Sequence, residues 1–351
     1  MEAERPFAGR GIAMSDHRKQ GGACNDIRRG KSFGRRDVLS LLTGTALAPF
    51  LPMLDAQAAP LTYALRPQRL TDGIWLVPGA QEAITRANGG AIANVAILDS
   101  SEGAIIVDTG PSKRFGEALA ALAKELTGKP VARVYITHFH PDHVFGNQAF
   151  PADVIAAPQG VIDGLKQVGE DFASAMYHTA GDWMRGTEVV LPRRAVGVGL
   201  DEVGDRRLRL LPLKGHTGSD LAIFDERSGF LFAGDLVFLD RAPTTPHADP
   251  ERWQISLATL GAIPHNLLVP GHGPAEQGGR GIVQTRDWLS AIERQVREAF
   301  DSGLDMTEAI ALPLPRWTET IALARYEYER TVMHLYPRLE AARLPRVDRK
   351  S

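Results

Sequence analysis

The chain has 351 residues, of which 44% are hydrophobic and 23% are charged, as is usual for a globular protein. Its formal net charge of −2 disfavours nucleic acid as a partner, because nucleic-acid-binding domains usually carry a basic excess. No uninterrupted apolar run reaches the 18 or so residues of a membrane span, so no stable membrane anchor is expected.

Residues 1–58 differ in character from the rest of the chain and are predicted to be a signal peptide. The pair Arg35-Arg36 precedes an apolar stretch from Val38 to Leu54, and the small-x-small triplet 56–58 follows it. This order is typical of a twin-arginine export signal and predicts a periplasmic protein. A buried helix is the alternative, but Pro49 and Pro52 interrupt the stretch and disfavour it.

From residue 61 onward, short apolar strands alternate with amphipathic helices. In the first half, strands are predicted over 73–79, 94–100, 103–110, 131–137 and 153–158, and helices over 115–126 and 161–177. In the second half, strands are predicted over 207–213 and 266–274 and a hairpin over 221–238, with helices over 250–260, 281–302, 305–311 and 318–342. Strands followed by a helix, occurring twice, indicate an α/β sandwich of two packed sheets with helices outside.

The stretch 137–147, THFHPDHVFGN, concentrates potential metal ligands. His138 and His140 are two residues apart, so on an extended segment their side chains point the same way. Asp142 and His143 lie beyond the turn at Pro141. These four side chains cannot all reach one tetrahedral ion comfortably, but they can serve two neighbouring ions. Imidazole and carboxylate suit zinc, and iron or manganese are the alternatives.

Three more potential ligands stand at predicted strand ends: His216 in GHTGSD, Asp235 in FAGDLVF and His272 in VPGHGP. Together with the first four they make seven, the number that a binuclear centre with open positions needs. The simplest division gives one metal His138, His140 and His216, and the other Asp142, His143 and His272, with Asp235 as the bridge.

Two adjacent cations would lower the pKa of a shared water and supply a metal-bridging hydroxide as the nucleophile. Asp142 is expected to orient this hydroxide by accepting its proton in a hydrogen bond, so Asp142 and Asp235 are the predicted catalytic residues. Cys24 is the only cysteine and lies in the predicted signal peptide. The mature chain would therefore have no disulfide and no thiolate nucleophile.

The segments THFHPDH, GHT, AGD and PGHG, in this order, resemble the metallo-β-lactamase superfamily over residues 61–275. The resemblance implies an αββα sandwich of two mixed β-sheets flanked by helices, with residues 276–346 as a helical extension packed on the core. It also implies two zinc ions at the edge of the sheets, held by the seven ligands above. Asp108, in VDTG, would have a structural role beside them.

The bridging position narrows the predicted activity. The best-known β-lactamases have cysteine where this chain has Asp235, and others have serine, whereas aspartate there resembles glyoxalase II and related hydrolases. This favours hydrolysis of a small-molecule ester, thioester, lactone or amide, and leaves β-lactamase activity as an alternative.

Four further segments resemble the quinoprotein relay system zinc metallohydrolases, a group that includes SoxH-like proteins: 87–98, 140–150, 233–243 and 325–344. This resemblance implies a link to periplasmic dehydrogenases that use pyrroloquinoline quinone. Two other hypotheses stay open, namely a metal-bearing accessory or binding protein of such an electron-transfer system and an iron-based oxidoreductase on the same scaffold.

Some residues outside the ligand set allow two interpretations. Residues 88–90, Asn-Gly-Gly, either cover the metals or form a tight turn. Asn147 is expected to brace the metal loop. The remaining histidines of the mature chain are expected at the surface or in the core, with His178 as the best candidate to reach the site: His178, His247, His265 and His334. The large C-terminal side chains are expected to be packing residues: Trp288, Trp317, Tyr326, Tyr328 and Met333.

Overall fold

The computed structural model describes residues 61–343, and the predicted signal peptide over residues 1–58 lies outside the described residues. The strands of this part are β1 (Gln68–Thr71), β2 (Ile74–Val77), β3 (Val95–Asp99), β4 (Ala104–Val107), β5 (Val131–Tyr135), β6 (Ile155–Pro158), β7 (Arg194–Val196), β8 (Gly199–Val203), β9 (Arg206–Leu213), β10 (Asp220–Asp225), β11 (Phe230–Phe238) and β12 (Leu267–His272). Its α-helices are α1 (Lys113–Thr127), α2 (Pro141–Val144), α3 (Gln159–Ala180), α4 (Pro250–Gly261), α5 (Arg280–Asp301), α6 (Met306–Ala311) and α7 (Ala324–Arg343).

The strands form two mixed sheets. The first has the order β1-β2-β3-β4-β5-β6-β7, antiparallel as far as β4 and parallel from there on. The second has the order β12-β11-β10-β9-β8, in which only the pair β11 and β12 is parallel. The predicted sandwich of two mixed sheets with helices outside is confirmed.

The inner strands β2, β3, β4 and β6 of the first sheet are buried on both faces, which explains their continuous apolar sequences. Along β3, Ala96 and Leu98 pack between the two sheets, whereas Val95 and Ile97 pack under the helices. The alternation follows from the two-residue period of a strand. Helices α1 and α3 cover this outer face. The result is a four-layer molecule in which the strand ends lie at the edges of the sheets.

Helices α4 and α5 cover the outer face of the second sheet, and α7 packs against α5 and α6. Trp253, Trp288 and Tyr328 are fully buried in this helical layer. The helix predicted over 318–342 begins later than expected, at Ala324. Leu323, directly before it, has a φ of 60°, a left-handed conformation that cannot continue a helix.

The sequence patterns missed the edge strands β1, β7 and β8. Their residues are largely exposed and polar, so they lack the apolar alternation that marks a strand. Across residues 61–343, no helix combines the length and the apolar character needed to cross a membrane.

Candidate metal centre

The first four ligand candidates lie just beyond the end of β5. His138 follows this buried strand after two residues, and His140 precedes the short helix α2. Pro141 at the first position of α2 fixes the backbone angle there and turns the chain. The turn carries Asp142 and His143 back towards His138, and all four side chains are buried.

The other three candidates come from the second sheet. His216 lies in the loop between β9 and β10, Asp235 lies within β11, and His272 is the last residue of β12. The pairing of β11 with β12 shifts in register around Gly234, whose φ is 52°. A Cβ atom on Gly271 would lie 2.0 Å from Asp235 Oδ1, so only glycine allows this carboxylate to sit where it does.

Asp235 is the centre of the cluster. Its Oδ2 lies 3.2 Å from His216 Nε2, 3.3 Å from His272 Nε2 and 3.7 Å from His138 Nε2. Its Oδ1 lies 3.2 Å from His143 Nε2. A single carboxylate therefore faces ligand atoms from both predicted halves of the centre, as a bridging residue must.

The remaining carboxylate belongs to one half only. Asp142 Oδ2 lies 3.3 Å from His272 Nε2 and 3.5 Å from His143 Nε2. The ligand atoms fall into two groups, and within each group all atoms lie within 4.8 Å of one another: His138, His140, His216 and Asp235, then Asp142, His143 and His272. The structure thus brings together all seven side chains singled out from the sequence, with Asp235 in the first group and also 3.2 Å from His143 of the second.

Hydrogen bonds on the outer ring nitrogens fix how three of these histidines are turned. His143 Nδ1 lies 2.8 Å from Asp108 Oδ2, and His272 Nδ1 lies 2.9 Å from the carbonyl oxygen of Ile92. His138 Nδ1 lies 3.0 Å from Thr137 Oγ1. Each contact leaves Nε2 facing the centre, as in metal sites where a second group orients the ligating imidazole.

Several inward-facing atoms are buried without a hydrogen-bond partner among the described residues: His138 Nε2, His143 Nε2 and Asp235 Oδ1. Buried polar atoms are rarely left unpaired, since the loss of hydration is costly. A pair of divalent cations would satisfy them. Imidazole nitrogens and carboxylate oxygens are suitable donors, so the residues present fit a binuclear metal site.

His140 is turned the other way. Its Nδ1 faces the centre, 2.8 Å from His216 Nε2, while its Nε2 points outward and lies 2.9 Å from His247 Nδ1. His247 is exposed on the chain after β11. The sequence predicted His247 at the surface or in the core, because no buried strand ends beside it and nothing local distinguishes it from a surface histidine.

At His138, His140, His216 and Asp235, burial and the neighbouring charges favour the metal-binding protonation states. Burial lowers the pKa of His138 and of His140 well below the ordinary value, and it lowers the pKa of His216 to about 4. Burial alone would raise the pKa of Asp235, but His272 and His143 outweigh it and hold that pKa well below its usual range. Neutral imidazoles and an ionised carboxylate are the forms that ligate a cation.

Burial would also lower the pKa of His143, but Asp235, Asp142 and Asp108 outweigh it and raise this pKa well above its ordinary value. Three carboxylates around one imidazole favour a positive charge at this position. A bound cation would supply that charge in place of the proton.

Asp108 and Asn147 lie where the sequence predicts them, whereas His178 does not reach the site. Asp108 contacts His143 and also accepts hydrogen bonds from Thr137 N and Oγ1, each at 2.8 Å, so it has the predicted structural place. Asn147 accepts a bond from Thr109 Oγ1 and donates one to the Val190 carbonyl, which braces the metal loop. His178 is exposed in a separate pocket beside Trp183 and does not reach the site.

The Asn88 segment forms a turn. Asn88 Oδ1 accepts hydrogen bonds from Gly90 N and Thr85 N, each at 2.9 Å, which stabilises the tight-turn conformation. Residues on either side of that turn, Ile84 and Ile92, nevertheless line a cavity above the metal ligands. Residues 88–90 therefore form the predicted tight turn, and the cavity is lined by their neighbours rather than by these three residues.

This cavity has a volume of about 250 Å³ and opens to solvent. His140, Asp142, Asp235 and His272 form its floor. The sides of the cavity formed by α3 and by the loop 83–92 are mainly apolar. The sides formed by α7 and by the chain after β11 are mainly polar or charged. Tyr326, expected to be a packing residue, is 45% exposed and lines the cavity instead.

A family model described as the metallo-beta-lactamase superfamily matches residues 88–272, more than half of the chain, and spans all seven ligand positions. The chain belongs to the metallo-beta-lactamase superfamily. The fold agrees, since a metallo-beta-lactamase from Pontibacter korlensis superposes with a TM-score of 0.53 at 19% identity, covering 64% of this chain and 99% of that one.

Two curated relatives of this superfamily member are hydrolases. A linear primary-alkylsulfatase from Pseudomonas sp. is 23% identical over 285 residues, which are 68% of this chain and 53% of the relative. A hydroxyacylglutathione hydrolase from Erythrobacter litoralis is 26% identical over 202 residues, which are 57% of this chain and 69% of the relative. The chain thus spans about half the length of the alkylsulfatase. Both relatives are hydrolases by name, which is the class predicted for this chain from its sequence.

Proposed function

We propose that this superfamily member is a binuclear zinc hydrolase that cleaves a small ester, thioester, lactone or amide. The observation that carries the proposal is the convergence of seven buried ligand side chains, with unpaired donor atoms, on the floor of an open cavity. A reacting group that enters the cavity meets the ligand cluster directly. A purely structural metal site would be closed to solvent.

The residues of the chain have distinct tasks. Asp235 bridges the two ligand groups and sets their separation. Asp142 both ligates and, as an ionised carboxylate at the cavity floor, accepts a proton in a hydrogen bond from the attacking water. Asp108 fixes the ring of His143. When bound, a pair of zinc ions supplies Lewis-acid polarisation of the scissile group and lowers the pKa of water.

The names of the relatives support an ester-like bond. By their names, one acts on linear primary alkyl sulfates and the other on hydroxyacylglutathione. Asp235 also argues for this class, because the position holds aspartate rather than cysteine. A substrate panel should therefore include carboxylic esters, thioesters, lactones, sulfate esters and β-lactams.

The test combines metal analysis with this panel on one purified preparation. We expect about two zinc ions per chain and hydrolysis that a chelator abolishes. Asp235→Asn should lower both metal content and kcat, the latter by about 10²-fold or more, the scale for losing electrostatic stabilisation of a transition state. The matched control is the exposed Asp153→Asn. One metal or none, with activity that survives chelation, would contradict the proposal.

We also propose export to the periplasm and a link to quinoprotein dehydrogenases. Both rest on the sequence, the first on residues 1–58 and the second on the segments that resemble quinoprotein relay system hydrolases. Replacing the Arg35-Arg36 pair by lysines should leave the uncleaved protein in the cytoplasm. Deletion of the gene should impair growth on alcohols. Unimpaired growth would contradict the link to quinoprotein dehydrogenases.

A further inference from the structure

In addition to the metal ligands, a buried arginine lines the cavity above them. Arg241 is only 3% exposed and lines this cavity, next to its metal-ligand floor. Its Nε and Nη1 have no hydrogen-bond partner among the described residues. The nearest carboxylate oxygen, Glu327 Oε1, lies 3.9 Å from Nη2, which is too far for a hydrogen bond.

Glu327 is committed to other partners. It accepts a hydrogen bond from Thr244 Oγ1 at 2.9 Å, and Arg330 Nη1 lies 3.1 Å from one carboxylate oxygen and 3.2 Å from the other. Two guanidinium groups thus share one carboxylate on this side of the cavity. An incompletely paired buried charge is unfavourable, so this arrangement invites another anion.

The backbone holds Arg241 in a defined place. Ala242 N donates to the Ala322 carbonyl and Ala322 N donates to the Asp240 carbonyl, each at 2.9 Å. Asp240 and Leu323, on either side of this bridge, have φ values of 57° and 60°. Left-handed conformations are unfavourable for residues other than glycine and persist where the surroundings enforce them. The C-terminal segment thus fixes this arginine.

We propose that Arg241 binds an oxyanion of the substrate, a carboxylate or a sulfate, so that the hydrolase prefers anionic substrates with an apolar body. A guanidinium group suits this task, because its planar donors match two oxygens of one anion. The apolar body would lie against Ile84, Phe172 and Met176 on the opposite side of the cavity. The inference rests on the proposed function, since it concerns the same cavity.

Binding is tested first, by isothermal titration of the metal-loaded protein with hexanoate, hexanesulfonate and hexan-1-ol. Both or either of the anions should bind at least about tenfold more tightly than the alcohol, the scale of a charged hydrogen bond. Arg241→Gln should remove this difference. The exposed Arg294→Gln on α5 should not. The anion that binds tells a carboxylate site from a sulfonate or sulfate site.

Two further measurements use the Arg241→Lys variant and the metal-free protein. Arg241→Lys retains the charge and should retain part of the preference, so a folding defect of Arg241→Gln would not decide the matter. The preference should also survive in metal-free protein, because the anion is held by Arg241. Equal binding of anion and alcohol, unchanged binding in Arg241→Gln, or anion binding that requires the metal would each overturn the inference.

Turnover separates this inference from the proposed function. The ratio of kcat/KM for the anionic 4-nitrophenyl hemisuccinate to that for neutral 4-nitrophenyl butyrate should fall at least about tenfold in Arg241→Gln. An unchanged ratio would overturn the role of Arg241 with hydrolysis intact. If the wild type cleaves no substrate of the panel, the proposed function fails, and the titrations still decide whether Arg241 binds anions.

Discussion

Two buried arginines of this protein have nearly the same exposure and opposite surroundings. Arg206 is 2% exposed and Arg241 is 3% exposed. Arg206 donates from Nη1 to Asp225 Oδ2 at 2.6 Å, from Nη2 to the Gly73 carbonyl at 3.0 Å and from Nε to the Asp99 carbonyl at 2.5 Å. Arg241 leaves Nε and Nη1 unpaired.

The difference in hydrogen bonding distinguishes an arginine that holds the fold together from one that is available to a ligand. Arg206 begins β9 and joins the second sheet to the first, so its hydrogen bonds are complete in the protein itself. The opposite end of β9 leads to His216 and the metal ligands. Of the eleven unpaired buried side-chain atoms in residues 61–343, six belong to the metal ligands or to Arg241. Unfinished hydrogen bonding thus concentrates where a ligand is expected.

The largest expected effect is a loss of stability when Arg206, the fully paired arginine, is replaced. Arg206→Met should lower the free energy of unfolding by about 3–5 kcal/mol, because it leaves the Asp225 carboxylate buried without its partner. Chemical denaturation measures this change. The adjacent but exposed Arg207→Met is the control. The metal content per folded molecule should stay the same. A loss of metal would show that the Arg206 end of β9 and the metal-ligand end depend on each other.

An intermediate effect is expected at Asp108, which is fully hydrogen-bonded yet lies beside the metal ligands. Asp108→Asn should weaken metal affinity about 10–100-fold, because an amide NH₂ would face the donors on Thr137 and His143. Asparagine tolerates the φ of 64° at this position. Competition with a chelator measures the affinity, with the exposed Asp163→Asn as control. Unchanged affinity would contradict the orienting role.

The smallest effect is expected at His247, the exposed partner of His140. His247→Ala should reduce kcat/KM less than about tenfold, because water can replace an exposed hydrogen-bond partner more easily than a buried one. The control is His178→Ala, an exposed histidine away from the cavity. Equal losses in the two variants would mean that the contact with His140 has no effect on catalysis.

The ligands were predictable because each follows a local rule. His138 and His216 each follow a strand after two residues, His272 is the last residue of a strand, and strand ends converge at the edge of a sheet. The edge strands β1, β7 and β8 were not predictable, because their exposed residues carry no apolar period. The late start of α7 was also hidden, since tertiary contacts enforce the left-handed Leu323.

The amino-acid sequence was sufficient to predict the sandwich of two sheets, seven candidate metal ligands and their division into two groups. It was sufficient because apolar periodicity and ligand spacing are local properties of the chain. Two features became apparent only in the folded protein: His247 contacts His140, and α7 completes the cavity with Glu327 and Arg330 beside Arg241. The paired residues lie at least 86 positions apart in the chain, so no local pattern could pair them.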